Sequence, residues 1–222
     1  MASEQKPNKV SAKGKAGYHH GDLRASLLKA AESVLEDRGM EGFTLRECAR
    51  RADVSHGAPA HHFGDVRGLM SELAAESFLQ MDKLIQHHGQ QAPSDPFSQL
   101  KAAGLAYVEY AKSHRARFQL MFRTDRLDQE NEKLQQAGGR VYAHLEMTMR
   151  DINENAGGDE KLLADKTALA WSLVHGFATL MLENTSFAEL AHANPEGPGD
   201  MMRRILTLSG IALNAPSQPA SA

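Results

Sequence analysis

The sequence predicts an all-α fold, and three observations carry that prediction. Apolar residues recur at three- and four-residue spacing along most of the chain. No stretch alternates polar and apolar residues, as a half-buried strand would. Capping residues or glycines stand at several of the expected helix ends.

The elements follow in order. Residues 1–17, rich in Lys, Gly, Ala and Ser, read as a mobile basic arm. A first helix starts from Asp22 as N-cap, carries Leu23, Leu27, Ala30, Ala31 and Val34 on one side, and stops at Gly39. Thr44 and Glu47 form the T-x-x-E capping box of a second helix, with Leu45, Cys48, Ala49 and Ala52 facing inward. "ADVS" is a turn in which Val54 is the core anchor. Ser55 or His56 then caps a stubby third helix near residues 55–62. Gly57 and Pro59 are poor helix formers. So close to a helix start, however, Pro59 removes at most the first intrahelical hydrogen bond, so two turns survive.

A long fourth helix runs from Asp65 to about His88, and "GQQAPSDP" reads as a linker. Helices are then expected over Phe97–Ser113, Ala116–Phe122, Glu130–Asn155, Lys161–Asn184 and Asp200–Asn214. The "AGG" at 137–139 marks a kink or break in the third of these. "NAGGD" and "NPEGPG" are loops, and residues 215–222 form a disordered tail. The expected organisation is thus arm (1–17), three-helix unit (18–64), helical body (65–214) and tail (215–222).

Composition narrows the class. The chain has 222 residues, 41% hydrophobic and 24% charged, enough for one or two domains with a real core. A single cysteine, Cys48, excludes an internal disulfide and is expected to be buried and unreactive. The N-terminus lacks the apolar stretch of a secretory signal, and the apolar run from Thr167 to Leu182 is too short to span a bilayer. A cytoplasmic protein without a membrane partner is the expectation. Net charge is −3, but its distribution is uneven: residues 1–70 carry 11 Lys/Arg against 9 Asp/Glu, the remainder 14 against 19. A cationic head on an acidic body suits local phosphate contact.

Two helices around a short turn, preceded by a third, satisfy the steric demands of a helix-turn-helix. The second helix must be small where the third crosses it, as at Ala49 and Ala52. The third must present small or polar groups to the major groove, as His56, Gly57 and Ala58 do. The stretch "YHHGDLRASLLKAA…GFTLRECARRADVSHGAPAHHFGDVRGLM", over residues 18–70, resembles the N-terminal domain of the TetR family of transcriptional regulators. "WSLVHG" at 171–176 and "FQLMF" at 118–122 are similar to one C-terminal subgroup of that family.

The resemblance implies an all-α, Ω-shaped homodimer that binds a palindromic double-stranded DNA operator and is released by a small-molecule effector. It implies DNA contacts at Thr44, Arg46, Ser55, His56, Gly57, Ala58 and His61, with Thr44 and His61 on phosphates and residues 56–58 facing bases. Ala60 stands where the family commonly has a tyrosine, and Val66 where a lysine is usual; Arg67 is the neighbouring substitute. Arg50 and Arg51 remain open between DNA contact and a solvated face.

Trp171 and His175 lie four apart and share a helix face, either as packed core or lining a ligand cavity with Tyr107, Phe118, Phe122 and Met147. The pairs His19-His20, His61-His62 and His87-His88 diverge by about 100° on a helix and lack H-E-x-x-H or Cys-rich spacing. His62 is expected to pack on the first helix, and His87-His88 to end the fourth in solvent. No metal, cofactor or catalytic activity is expected. An activator, or a regulator controlled by a partner protein, is the alternative; a small His-dependent metal hydrolase is the distant one.

Overall fold

A computed structural model describes residues 20–213, with side chains from 23 to 210. The arm (1–17), Tyr18, His19 and the tail (215–222) lie outside the described residues. Helix α1 (His20–Arg38) begins two residues before Asp22, so Asp22 lies in the first turn instead of capping it. Its Leu27, Leu28, Ala31, Val34 and Leu35 are buried.

Helix α2 (Leu45–Arg51) follows with Thr44 as N-cap, the hydroxyl accepting from the Glu47 backbone N–H at 3.2 Å. Only half of the capping box forms, because the Glu47 carboxylate turns to arginines instead. Asp53 adopts φ 53° in the turn after α2, a left-handed conformation that Asp tolerates better than most residues. Helix α3 (Ala58–Phe63) is shorter than expected, and neither Ser55 nor His56 caps it. Gly57 is the N-cap, without a side-chain hydrogen bond, and Pro59 occupies the second helical position. The first helical bond runs from His61 N–H to Gly57 C=O, so the missing N–H of Pro59 costs nothing.

Helix α4 (Val66–Gln91) starts at the Asp65 cap and extends three residues into the expected linker. Its start is fixed tightly to the end of α3. A methyl group on Gly68 would sit 2.0 Å from the Phe63 carbonyl oxygen, so only glycine permits this approach. Helices α5 (Pro96–Ser113), α6 (Arg115–Met121), α7 (Glu132–Asn155), α8 (Leu163–Glu183), α9 (Thr185–His192) and α10 (Gly197–Leu213) complete the order, with a short 3₁₀ turn over 160–162. Helix α7 is unbroken through "AGG", where Gly138 packs against the Phe78 ring of α4. Helix α9 was not expected. Asn184 ends α8 and then caps α9 by accepting from Phe187 N–H, so one residue serves two helices. No strand occurs among the described residues.

The core crosses the boundary expected at 64/65. One buried cluster combines Val34 and Leu35 of α1, Cys48 of α2 and Leu69 and Leu73 of α4 with Leu120, Leu127 and Leu134 of the body. The three-helix head is therefore seated on the body by shared apolar burial.

Candidate nucleic-acid interface

The head presents a small exposed surface. Thr44, Arg46, Ser55, His56, Gly57 and His61 are exposed, and Ala58 is half-buried. Thr44 uses its oxygen as an acceptor in the α2 cap, which leaves its O–H to donate outward. Arg46 makes no ion pair among the described residues. Gly57 has an ordinary helical φ of −81°, and a methyl group there would meet nothing within 4 Å. The fold does not require glycine at this position. A side chain at this position would project into open space.

Behind that surface lies a charge cluster centred on Glu47. Glu47 is buried and accepts from Arg50 at 2.9 and 2.7 Å and from Arg51 at 3.2 Å, with Arg38 at 3.2 Å. Arg50 and Arg51, with Arg38 nearby, hold its carboxyl down to about 2. Arg51 also donates to Ser33 at 2.7 Å and Asp37 at 2.6 Å of α1. Both arginines engage Glu47 within α2, and Arg51 also ties α2 to α1, while Arg50 keeps 63% of its side chain exposed. Sequence reading missed Glu47 as the hub, although acidic and basic residues at i, i+3 and i+4 signal it. Cys48 beside it is fully buried, which pushes its thiol up to about 11.

Arg67 is exposed, yet its Nη2 donates to the Leu127 carbonyl at 2.6 Å, joining the start of α4 to the loop before α7. His62 is half-buried, its ring against those of His61 (5.5 Å) and Phe63 (6.2 Å). His88 is not a solvated helix end: α4 continues past it, and its Nε2 lies 2.9 Å from Glu109.

The body holds an apolar cavity of about 70 Å³ between α4, α5, α7 and α8, with Phe122 beyond α6. By the measure of roughly 10–15 Å³ per water, that is room for about five. Tyr107, Phe122 and Trp171 line it as expected, with Phe78, Tyr142 and Val174. Phe118 and His175 line a neighbouring cavity instead. Met147 is 66% exposed and lines neither, because its position on α7 faces solvent. His175 Nδ1 lies 2.8 Å from the Tyr107 hydroxyl. Burial lowers the His175 pKa, opposed by Glu183, and burial raises that of Tyr107. Phe78, Tyr142 and Val174 are among the wall residues sequence reading missed, and Phe78 has a particular position. It lines the cavity from α4, the helix on which α3 is mounted.

Residues 27–73 match the family described as bacterial regulatory proteins, tetR family, and residues 100–206 match the tetracyclin repressor-like C-terminal domain. The chain belongs to the TetR family of transcriptional regulators.

Among its TetR relatives, the HTH-type transcriptional regulator BetI of Burkholderia lata is 33% identical over 79 residues, 36% of this chain and 41% of that protein. The HTH-type transcriptional repressor AcnR of Corynebacterium glutamicum is 32% identical over 74 residues, 33% of this chain and 39% of that protein. The match thus spans about two fifths of the length of these relatives. A solved structure of a protein of unknown function from Rhodococcus sp. RHA1 is similar over 90% of this chain and 97% of its own, with TM-score 0.70 and 27% identity. The multidrug binding protein EbrR, solved with imidazole, shares the fold at TM-score 0.59 and 17% identity, over 91% of this chain and 94% of its own. The relatives identified are transcriptional regulators, not enzymes. Among the described residues, no helix is long and apolar enough to cross a membrane.

Proposed function

We propose that this TetR protein is a ligand-responsive repressor that binds a palindromic operator as a homodimer and is released by a small apolar effector. One observation carries the reading. Helix α4 bears α3 at its start, locked by Gly68 against Phe63, and lines the apolar cavity with Phe78 and Ile85 further along. A ligand that enlarges so small a cavity presses on the same rigid helix that aims the reader. It binds one reader spacing better than the other, which is the requirement for coupling.

In this reading, Thr44 and His61 hold phosphates, Arg46 reaches a phosphate or base edge, and His56, Gly57 and Ala58 face bases. Arg67, engaged with Leu127, acts as a strut between the start of α4 and the loop before α7. Pairing is supported by an apolar stripe on α8, where Leu169 and Leu180 are exposed on either side of Gly176. Leu208 of α10 is 72% exposed.

The test is footprinting of bound genomic DNA, followed by gel shift on the recovered site. A symmetric site with two half-sites about one helical turn apart, or a multiple of that, is expected. His56→Ala should change which bases are preferred, whereas His61→Ala should lower affinity on every sequence. Indifference of the purified protein to all duplexes recovered this way would reject the reading.

A further inference from the structure

The apolar cavity is closed on one side by a thin partition with a second cavity behind it. Tyr107 lines the first cavity, and its hydroxyl is bonded to His175 Nδ1 at 2.8 Å. His175 lines the second cavity, of about 190 Å³, between Met40 of the α1–α2 link, α6 and α8. Phe122 belongs to both walls. The partition is a set of interlocked rings, with Phe122 and His175 centroids 4.5 Å apart and Tyr107 edge-on to Phe118 at 5.5 Å.

The two sides differ in chemistry. The first cavity has no Asp, Glu, Lys or Arg in its lining. The second brings Gln119, Thr179 and Glu183 beside His175. Arg123 also borders it, but is closed on Asp125 by two bonds of 2.8 Å.

Proton accounting at the partition identifies a donor. Burial keeps Tyr107 protonated and favours neutral His175. If His175 Nδ1 carried the ring proton, the buried phenol O–H would lack an acceptor. The phenol therefore donates to Nδ1, and the ring proton sits on Nε2, at the opposite edge of the ring. That N–H has no acceptor among the described residues.

We propose that the effector is a neutral amphiphile: an aryl or short alkyl body fills the apolar cavity, and one hydroxyl or carbonyl end crosses the partition to accept from His175 Nε2. This rests on the ligand-responsive reading above and adds the chemical class of the ligand. Glu183 disfavours an anionic end group. An ammonium would have to pass an apolar, aromatic wall without a charged partner on the first side.

Four probes with one body test it on the full-length protein: propylbenzene, 3-phenylpropan-1-ol, 3-phenylpropanoate and 3-phenylpropylammonium. Trp171, the only tryptophan, lines the apolar cavity, so its fluorescence reports occupancy. The alcohol is expected to bind about tenfold more tightly than propylbenzene, the scale of one net hydrogen bond, and more tightly than either ion. In a Tyr107→Phe background, where no phenol O–H is left without an acceptor, His175→Phe should abolish the alcohol's advantage. Equal binding of alcohol and hydrocarbon, preference for an ion, or an advantage that survives His175→Phe in that background would overturn the proposal alone. Silence of Trp171 towards all four probes would instead remove the cavity as a ligand site, and the proposal with it. Should the double variant lose its helical circular dichroism, the ranking of the four probes on the unaltered protein decides.

Discussion

At the scale of single residues, the groups facing outward and those facing inward do different work, and Glu47 marks the division. Its carboxylate gathers Arg38, Arg50 and Arg51 and leaves Arg46 of the same helix for the exterior. Because its folded pKa, about 2, lies below the ordinary 4.5, its contribution to stability is full above about pH 4.5. That contribution fades as pH falls towards 2, when the folded carboxylate takes up its proton. Glu47→Gln should therefore lower Tm most at neutral pH. Thermal melts of both proteins across that range should converge as pH drops below about 4.5. A Tm gap that stayed constant down to pH 2 would mean that shape, not charge, makes the contact. The outward set was legible in the sequence because groove readers must be small or polar near a helix start. The hub was legible only in part: the spacing of Glu47, Arg50 and Arg51 signals it, but T-x-x-E predicts a backbone cap, and only the folded α1 brings Arg38 near.

At the scale of elements, α6 is the joint. It has seven residues, and it contributes Leu120 to the core shared with the head and Phe118 to the wall beside His175. From its middle, the 2% exposed Arg117 donates to Ser77 of α4 at 2.9 Å and to Glu32 of α1 at 2.7 Å. Its Nη2 has no hydrogen-bond partner among the described residues. A buried cation held by one solvent-accessible carboxylate is sensitive to small shifts of α1, because losing that partner leaves its charge uncompensated.

Glu32→Gln keeps a hydrogen-bond acceptor but removes the charge. We expect operator affinity and Trp171-reported probe binding each to change by less than about threefold, within the effect of one partly exposed pair. The reduction of operator affinity by the probe should fall at least about fivefold, out of a usual coupling range of 5–150-fold. Fluorescence anisotropy on labelled operator, with and without 3-phenylpropan-1-ol, measures it. Undiminished release would place the coupling through α4 alone. Elements of this kind were only partly legible. The spacing of apolar residues located α4, α5, α7 and α8, yet "AGG" does not kink α7, because packing of Gly138 on Phe78 overrides glycine's weak helix propensity. Helix α9 escaped because eight residues offer too few turns for a period, and its cap was already counted as the end of α8.

At the scale of the whole molecule, the operator reading requires two heads at a fixed separation, so the surface that pairs them must lie away from both. Helix α8 meets this need. Its exposed Leu169, Ser172 and Leu180 and half-buried Gly176 fall three and four apart, which places them on one stripe. The open space at Gly176 lets a second helix approach closely, and Leu208 of α10 adds a further exposed apolar side chain. Each copy of a stable pair must bury about 800 Å². Two helices with leucines this exposed can supply that area, and an isolated copy would leave them in water. Leu180, 46% exposed, can be replaced by glutamate without a cavity in its own chain, so Leu180→Glu should leave Tm of the monomer fold almost unchanged. In a pair it sets two carboxylates against an apolar seam. Light scattering should then report half the mass, and operator affinity should fall by about 10²–10⁴-fold as the second half-site ceases to be held by linkage to the first. Binding to a single half-site should persist at that weaker level, because α2 and α3 are untouched. If Leu180→Glu and Leu208→Glu both kept the full mass, the pairing surface would have to lie elsewhere. If the unaltered protein ran as a monomer and still protected a two-fold site, α8 would have no part in the spacing of the readers.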